Sequence, residues 1–310
     1  MSVGGSGLCS NCSTRRSLHL PGISRVPVRE ISAETLGGRI SAFQLDRIDI
    51  AVVLEEEDGG IVIGGEPFDS QAFGLKIARV LSLWAPSSAS YRALLNAVTD
   101  RVAARGYEQV ICRTRADALD QIWALEATGF ELMDIGVTFG RPVTKVIEAP
   151  RYADLVVRAS TDADIAAIVT QMLDQPWGSR YEADPQYAPE CVRDLRAQWL
   201  WNSHRGRAAV IWIGVMDGQA AGYVTCLLDG KTGHGEIELV GTLPLFRGRR
   251  VAARLLEHAV SWFSTRATLV TVRTQATNVA AANLYEQGGF RLHSSDLTFR
   301  LSVAGKQSHA

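Results

Sequence analysis

The sequence predicts an α/β protein, with a mixed, mostly antiparallel sheet flanked by helices and two related halves. Three observations predict it. Residues 110–139 align without gaps on residues 270–299, with ten identities in thirty columns, an internal repeat at an offset of 160. A repeat of this kind duplicates a supersecondary unit, and here each copy reads strand, helix, strand. In the later half, three strands joined at Asp217-Gly218 and Asp229-Gly230 precede that unit, and both dipeptides are hairpin signals. Hairpin-linked strands followed by a crossover through a helix give a mixed sheet.

The elements follow in order. Residues 1–24 are rich in Ser and Gly and poor in large apolar side chains, so 1–39 reads as a flexible tail. Apolar density rises from Ile40 to Val53, and Glu55-Glu56-Glu57-Asp58-Gly59-Gly60 reads as a solvated turn. A strand is expected at 78–84. A helix follows at 90–105, with Leu94, Leu95, Val98 and Val102 on one face and Gly106 closing it. Strand 109–114, helix 117–127 and strand 133–140 complete the first half. The linker 141–152 carries two prolines. The second half opens with a hydroxyl cap at Ser160-Thr161 and an acid three residues on, a helix-start signal, followed by an apolar face of Ile165, Ile168, Val169 and Met172. A helix at about 189–203 leads to strands at 208–215, 222–228 and 236–243. Then come helix 249–264, strand 269–274, helix 278–287 and strand 296–303. The domain organisation is therefore tail 1–39, first domain 40–150 and second domain 151–310.

Composition narrows the function classes. The 310 residues are 46% hydrophobic and 21% charged, an ordinary globular balance. A net charge of −1 gives no global basic field for nucleic acid or a membrane surface. No apolar run approaches the ~20 residues of a spanning helix, and the N-terminus lacks a secretory h-region, so the expected location is cytoplasmic. The five cysteines do not suggest a disulfide framework. Cys9-x-x-Cys12 has no second ligand pair nearby and reads as two tail thiols, with no metal expected. Cys112, Cys191 and Cys226 read as small hydrophobes.

Two segments carry chemistry. The first runs from a strand through Arg247-Gly248-Arg249-Arg250-Val251-Ala252 into a helix. Backbone N–H groups at a helix start, the positive dipole end and three arginines suit a phosphate or pyrophosphate. The bland alternative is a solvated basic helix start. The early copy has Ser87-Ser88-Ala89-Ser90 at these positions. The second segment spans residues 278–290. Asn278 is a natural N-cap, Gly288 or Gly289 a natural C-cap, and Tyr285 lies two turns after Asn278 on the same side. A phenol there can protonate a departing thiolate. The alternative is a half-buried core tyrosine. The early copy has Leu125 instead.

Together, and in this order, the two segments resemble the GNAT acetyltransferase superfamily over about 155–303. That family's loop, Arg/Gln-x-x-Gly-x-Gly/Ala, binds the acetyl-CoA pyrophosphate through its amides; here Arg250 stands at the central glycine. Residues 67–80, the half-repeat and residues 179–206 are similar to the TDP-fucosamine acetyltransferases, extending the resemblance over about 68–303. Those enzymes join a partial GNAT-like domain to a full one and acetylate the amine of a nucleotide-linked amino-deoxysugar.

The resemblance implies a GNAT fold preceded by a degenerate GNAT-like half-domain. It implies acetyl-CoA as co-substrate, held by residues 247–252 (Arg247, Gly248, Arg249, Arg250, Val251, Ala252) with Asn278. The strand 236–243 should splay from 269–274, so that Val240, Gly241 and Thr242 face pantetheine and the thioester. Tyr285 is the expected general acid. Glu238 is the expected base, with His234 a weaker candidate. Arg180, Tyr181, Trp199 and Asn202 are expected to line the acceptor pocket. Their alternative reading is a core tryptophan and a surface ion pair. Two other functions stay open. One is a GNAT acting on a protein N-terminus or a polyamine, for which Glu182, Asp184 and Glu190 supply carboxylates. The other is a non-catalytic acyl-CoA-binding module. The first half either completes a pseudo-symmetric monomer or supplies a homodimer surface.

Overall fold

A computed structural model describes residues 27–32, 35–36, 46–172, 175 and 178–303. Cys9, Cys12 and most of the segment read as a tail lie outside the described residues. The first half comprises β1 (Val28–Glu30), β2 (Ile48–Leu54), β3 (Gly60–Gly65), α1 (Pro67–Phe73), β4 (Ile77–Trp84), α2 (Ser88–Ala104), β5 (Gln109–Arg115), α3 (Leu119–Ala127) and β6 (Glu131–Pro142). The second comprises β7 (Val156–Ala159), α4 (Asp162–Met172), α5 (Arg180–Ala183), α6 (Pro189–Asn202), β8 (Val210–Met216), β9 (Gln219–Asp229), β10 (His234–Thr242), α7 (Val251–Phe263), β11 (Leu269–Gln275), α8 (Val279–Gln287) and β12 (Arg291–Ser302). Within the expected tail, Val28–Glu30 forms an edge strand paired antiparallel with β2, which corrects that part of the reading. The expected final strand starts five residues earlier, at Arg291.

The repeat has a topological consequence. Among the described residues, all twelve strands form one sheet in the order β1-β2-β3-β4-β5-β12-β6-β11-β10-β9-β8-β7. The halves have exchanged their last strands. β12 pairs with β5 of the first half, from Asp296↔Arg115 to Ser302↔Gln109. β6 pairs with β11 of the second half, from Gln275↔Gly136 to Leu269↔Pro142. Adding 160 to one register gives the other. At the centre β6 and β12 pair antiparallel, and Gly136 faces its own repeat mate, Asp296. A pseudo-two-fold axis therefore passes through that pair.

The cores are exchanged with the strands. Phe299 is fully buried in the first half's cluster with Ile61, Leu94, Val102 and Leu125. Its mate Phe139 is buried in the second half's cluster with Ile237, Leu256, Val272 and Phe290. A third cluster joins the halves: Ile77 and Ile111 under Tyr181, Tyr187, Val192 and Leu195, with Phe68, Phe73 and Trp199 at its edge. Each fully buried Phe of this kind contributes about 1.5–3 kcal/mol, so exchange ties the halves together firmly. Cys112 and Cys226 are fully buried, as a hydrophobic role requires.

Candidate active site

The site begins where two strands part. β10 and β11 are parallel and in register from His234↔Leu269 to Ile237↔Val272, and then their pairing stops. β10 bulges against β9 between Ile237 and Val240. In the bulge the Leu239 N–H is satisfied by Thr225 Oγ1 at 2.8 Å. Pairing with β9 resumes at Val240↔Val224, Gly241↔Tyr223 and Thr242↔Gly222, which leaves the other edge of these residues facing the fork. Glycine is needed here because a Cβ on Gly241 would lie 2.5 Å from the Tyr223 ring.

The loop after β10 turns at Pro244–Phe246 and enters α7. Gly248 has φ +77°, and Arg250, the N-cap of α7, has φ +59°. Arg250 therefore holds a left-handed backbone that glycine adopts freely, at a cost of order 1–3 kcal/mol. No side chain caps this helix start, so its first N–H groups stay open. Arg249 pairs with Asp217 at 3.1 Å, and Arg247 Nη2 donates to Gln175 Oε1 at 3.2 Å. Arg250 makes no ion pair among the described residues. In the first half, Ser87 Oγ accepts from the Ser90 N–H, and Ser90 Oγ donates to Glu57 at 2.7 Å. There a cap and a carboxylate occupy the place that α7 leaves open. The donor set at α7 fits a pyrophosphate; that at α2 does not.

Asn278 Oδ1 accepts from the Ala281 N–H at 3.1 Å and starts α8, as the sequence implied. Tyr285 is 6% exposed, with its ring 5.8 Å from Phe139 and 6.3 Å from Phe290. Burial pushes its phenol up to about 12, so it stays protonated across the ordinary pH range. It makes no hydrogen bond to another described residue. The first half fixes this helix from below. β6 supplies Phe139, and Arg141 on β6 donates to the Gly288 carbonyl at the end of α8.

The sheet face opposite α7 carries the carboxylates. Glu238 is held by the Arg207 guanidinium and accepts from Ser203 Oγ at 3.3 Å. His234 Nε2 lies 2.9 Å from Thr271 Oγ1. Sequence reasoning missed Glu236. It is exposed, has no ion-pair partner among the described residues, and has its pKa raised, foremost by desolvation and then by the charge of Glu238. A free carboxylate with an upward shift is a better base than one held by arginine. The available signal was its position two residues before Glu238 on the same strand face.

The expected acceptor residues sit differently from one another. Arg180 and Tyr181 are buried, and both donate to Asp69 on α1, at 3.2 and 3.0 Å. Their polar ends are matched inside the protein, so they lock α5 onto α1 rather than line an open pocket. Trp199 stacks on Phe68, 6.4 Å away and tilted 12°. Asn202 alone of the four is exposed, at the end of α6 beside Ser203. Two of the carboxylates noted for a polyamine are also committed, Glu182 to Arg196 and Asp184 to the buried Arg300.

Residues 169–290 match the acetyltransferase (GNAT) family model. The chain is 33% identical over 135 residues to the spore coat polysaccharide biosynthesis protein SpsD of Bacillus subtilis, covering 43% of this chain and 45% of that protein. It thus spans less than half the length of that relative. It is 28% identical over 193 residues to a dTDP-fucosamine acetyltransferase of Escherichia coli, covering 61% of this chain and 80% of the relative. The fold is similar to that of a tandem GNAT protein from the clavulanic acid biosynthesis pathway, with a TM-score of 0.57 and 15% identity over 91% of this chain and 99% of that one. Residues 169–290 thus form a GNAT acetyltransferase domain, and the fold of the chain is similar to that of a tandem GNAT protein. No described helix is long and apolar enough to cross a membrane.

Proposed function

We propose that this chain transfers an acetyl group from acetyl-CoA to the amine of a nucleotide-linked amino-deoxysugar, in the cytoplasm, with residues 151–310 as the catalytic domain and 40–150 as its partner. The observation that carries the reading is the fork between β10 and β11, rimmed by the open start of α7 and backed by Tyr285. The names of the two relatives, one a polysaccharide biosynthesis protein and one an amino-sugar acetyltransferase, support the acceptor class.

The open N–H groups at Val251 and Ala252, with Arg247, Gly248, Arg249 and Arg250, would hold the pyrophosphate, and the free edge of Val240, Gly241 and Thr242 would orient pantetheine. Bound acetyl-CoA supplies an activated acetyl thioester. Glu236 takes the proton of the attacking amine, directly or through water, while Arg207 and Ser203 keep Glu238 fixed beside it. Tyr285 donates a hydrogen bond to the departing sulfur. A phenol near 12 is a weaker acid than a thiol near 8.5, so its main contribution is to stabilise the developing negative charge, with the proton following. Asn202 faces the acceptor. A polyamine acceptor loses support because Glu182 and Asp184 are already paired.

The test is mass measurement of acetyl transfer to a panel of amino-deoxysugar nucleotides. Tyr285→Phe should lower kcat by about 10²-fold with acetyl-CoA affinity unchanged by calorimetry. Equal rates in wild type and variant would remove Tyr285 from the mechanism. Tight CoA binding without transfer to any amine would leave a binding module.

A further inference from the structure

The first half keeps a fork of its own. β4 and β5 pair in parallel only from Ile77↔Gln109 to Arg79↔Ile111, after which β4 runs on to Trp84 and β5 to Arg115. β4 also bulges, against β3 at Leu81, as β10 bulges against β9. Between the parted strands lies a cavity of about 230 Å³, lined by Leu81, Ser82, Leu83, Arg113, Arg115 and Gln121 among others. This fork offers no open helix start for a pyrophosphate, because the Ser87 cap and the Glu57 carboxylate stand at the start of α2. Its positive charge lies instead on the inner strand.

That charge connects the two forks. Arg113 and Arg273 are repeat mates, and both reach Asp296, at 3.3 and 2.7 Å. Arg273 also approaches Asp134, at 3.5 Å. Strand alternation and register put Glu236, Arg273, Asp296 and Arg113 on one sheet face. The inner strands of the forks, β5 and β11, are three strand spacings apart, roughly 14 Å. Arg113 thus lies on the sheet face that carries Glu236, with Asp296 and Arg273 between them. Among the described residues Arg113 meets a single carboxylate, Asp296, which it shares with Arg273, so most of its N–H donors stay open to an incoming group. Burial, foremost, and then the charges of Arg273, Arg79 and Arg180 lower its pKa, while Asp296 raises it. Phosphate oxygens relieve such crowding and match the planar guanidinium fork.

Resting on the sugar-nucleotide reading above, we propose that the cavity between β4 and β5 is the pocket for the nucleoside diphosphate of the acceptor. Arg113 binds the diphosphate, and the walls formed by Leu81 and Leu83 take the nucleoside. The sugar then lies across the shared sheet face with its amine toward Glu236. The half whose helix start is capped thus supplies the specificity site for the other substrate.

Calorimetric titration of the full-length protein with thymidine and uridine diphosphates, without acetyl-CoA, tests this. Wild type should bind at least one of them, and saturating coenzyme A should leave that binding in place. Arg113→Gln should weaken it by about tenfold or more, the worth of a charge-assisted contact, with acetyl-CoA affinity and Tm unchanged. Ser82→Trp, which fills the cavity without touching Asp296, should do the same. In steady state both should raise KM for the sugar nucleotide and leave kcat and the acetyl-CoA KM alone. The proposal is overturned if neither diphosphate binds wild type, if coenzyme A displaces it, or if both variants bind as well as wild type. Diphosphate binding as expected, with no amine acetylated, would refute the catalytic reading and leave the pocket standing.

Discussion

Arg250 is the residue at which backbone and side chain ask for different things. Its φ of +59° is one that glycine adopts freely and arginine does not. Arg250→Gly should therefore stabilise the fold by about 1 kcal/mol, read as a higher urea midpoint at constant m-value. Acetyl-CoA affinity separates two roles for the guanidinium. If the side chain helps hold phosphate, the more stable variant binds more weakly; if it only obstructs, the variant binds more tightly. We expect weaker binding, because Arg250 has no ion-pair partner among the described residues. Glu236 has a pH signature. Its carboxyl lies above 4.5, and only the ionised form accepts a proton, so kcat/KM should rise with pH through that shifted value. Glu236→Gln should cost about 10²-fold and flatten the acid limb, whereas Glu238→Gln should keep the limb. Asn278 as the N-cap of α8, and the place of Tyr285 on that helix, were legible in the sequence because helix caps and phase depend on neighbours a few positions away. Arg180 and Tyr181 were misread, since their partner Asp69 lies 111 and 112 positions away. Glu236 was passed over because nothing local separates it from Glu238; the difference comes from Arg207, which lies 31 positions from Glu238.

Among the elements, α4 shows how a local signal becomes a stability contribution. Asp164 accepts from the Thr161 N–H at 2.8 Å and Oγ1 at 2.6 Å, and from both ends of the Arg158 guanidinium at 2.6 and 2.9 Å. The cap read from Ser160-Thr161 is thus made by Thr161 and tied to β7. The Arg158 guanidinium, foremost, holds the carboxyl at about 2, against 3.8 for the free group. A depressed carboxyl stabilises the fold above 3.8, and the gain disappears as pH falls through about 2. Arg158 is partly exposed, so the gain is about 1–2 kcal/mol rather than the full shift. Asp164→Asn should lose that amount at pH 7 and match wild type near pH 2, by denaturant titration at the two pH values. Elements with such local signals were legible: the Asp217-Gly218 hairpin, with both residues at positive φ, and α8 from its cap. β7, four residues long at the sheet edge, carries too little pattern to be seen. The first five residues of β12 were missed because all but the last of Arg291, Leu292, His293, Ser294 and Ser295 are exposed and lack a buried alternation.

At the scale of the molecule, the repeat was legible but the exchange of strands was not. A strand–helix–strand unit written twice gives two pairings with matching registers: β5 with its own β6, or β5 with β12. Each exchanged register maps onto the other under the shift of 160, so the sequence pattern satisfies both alternatives. Particular contacts decide it, chiefly Arg141 on the end of α8, Asp296 between Arg113 and Arg273, and the α5–α6 segment on α1. This arrangement makes a prediction about cutting the chain in the linker after Pro142. Each fragment then lacks the strand that lies beside its own β5 or β11, and its core lacks the opposite Phe, Phe299 in one case and Phe139 in the other. Losing one such ring costs about 3–5 kcal/mol, a large share of the stability of a typical domain. Residues 27–150 or 151–303 expressed alone should therefore be insoluble or self-associate through the unpaired strands, as swapped elements do. Co-expressed, they should elute as a one-to-one complex that binds acetyl-CoA, because every exchanged contact is restored without a covalent link. Two stable monomers, each with native circular dichroism, would mean that β6 and β12 can return to their own halves, and that the exchange contributes little to holding Tyr285 in place.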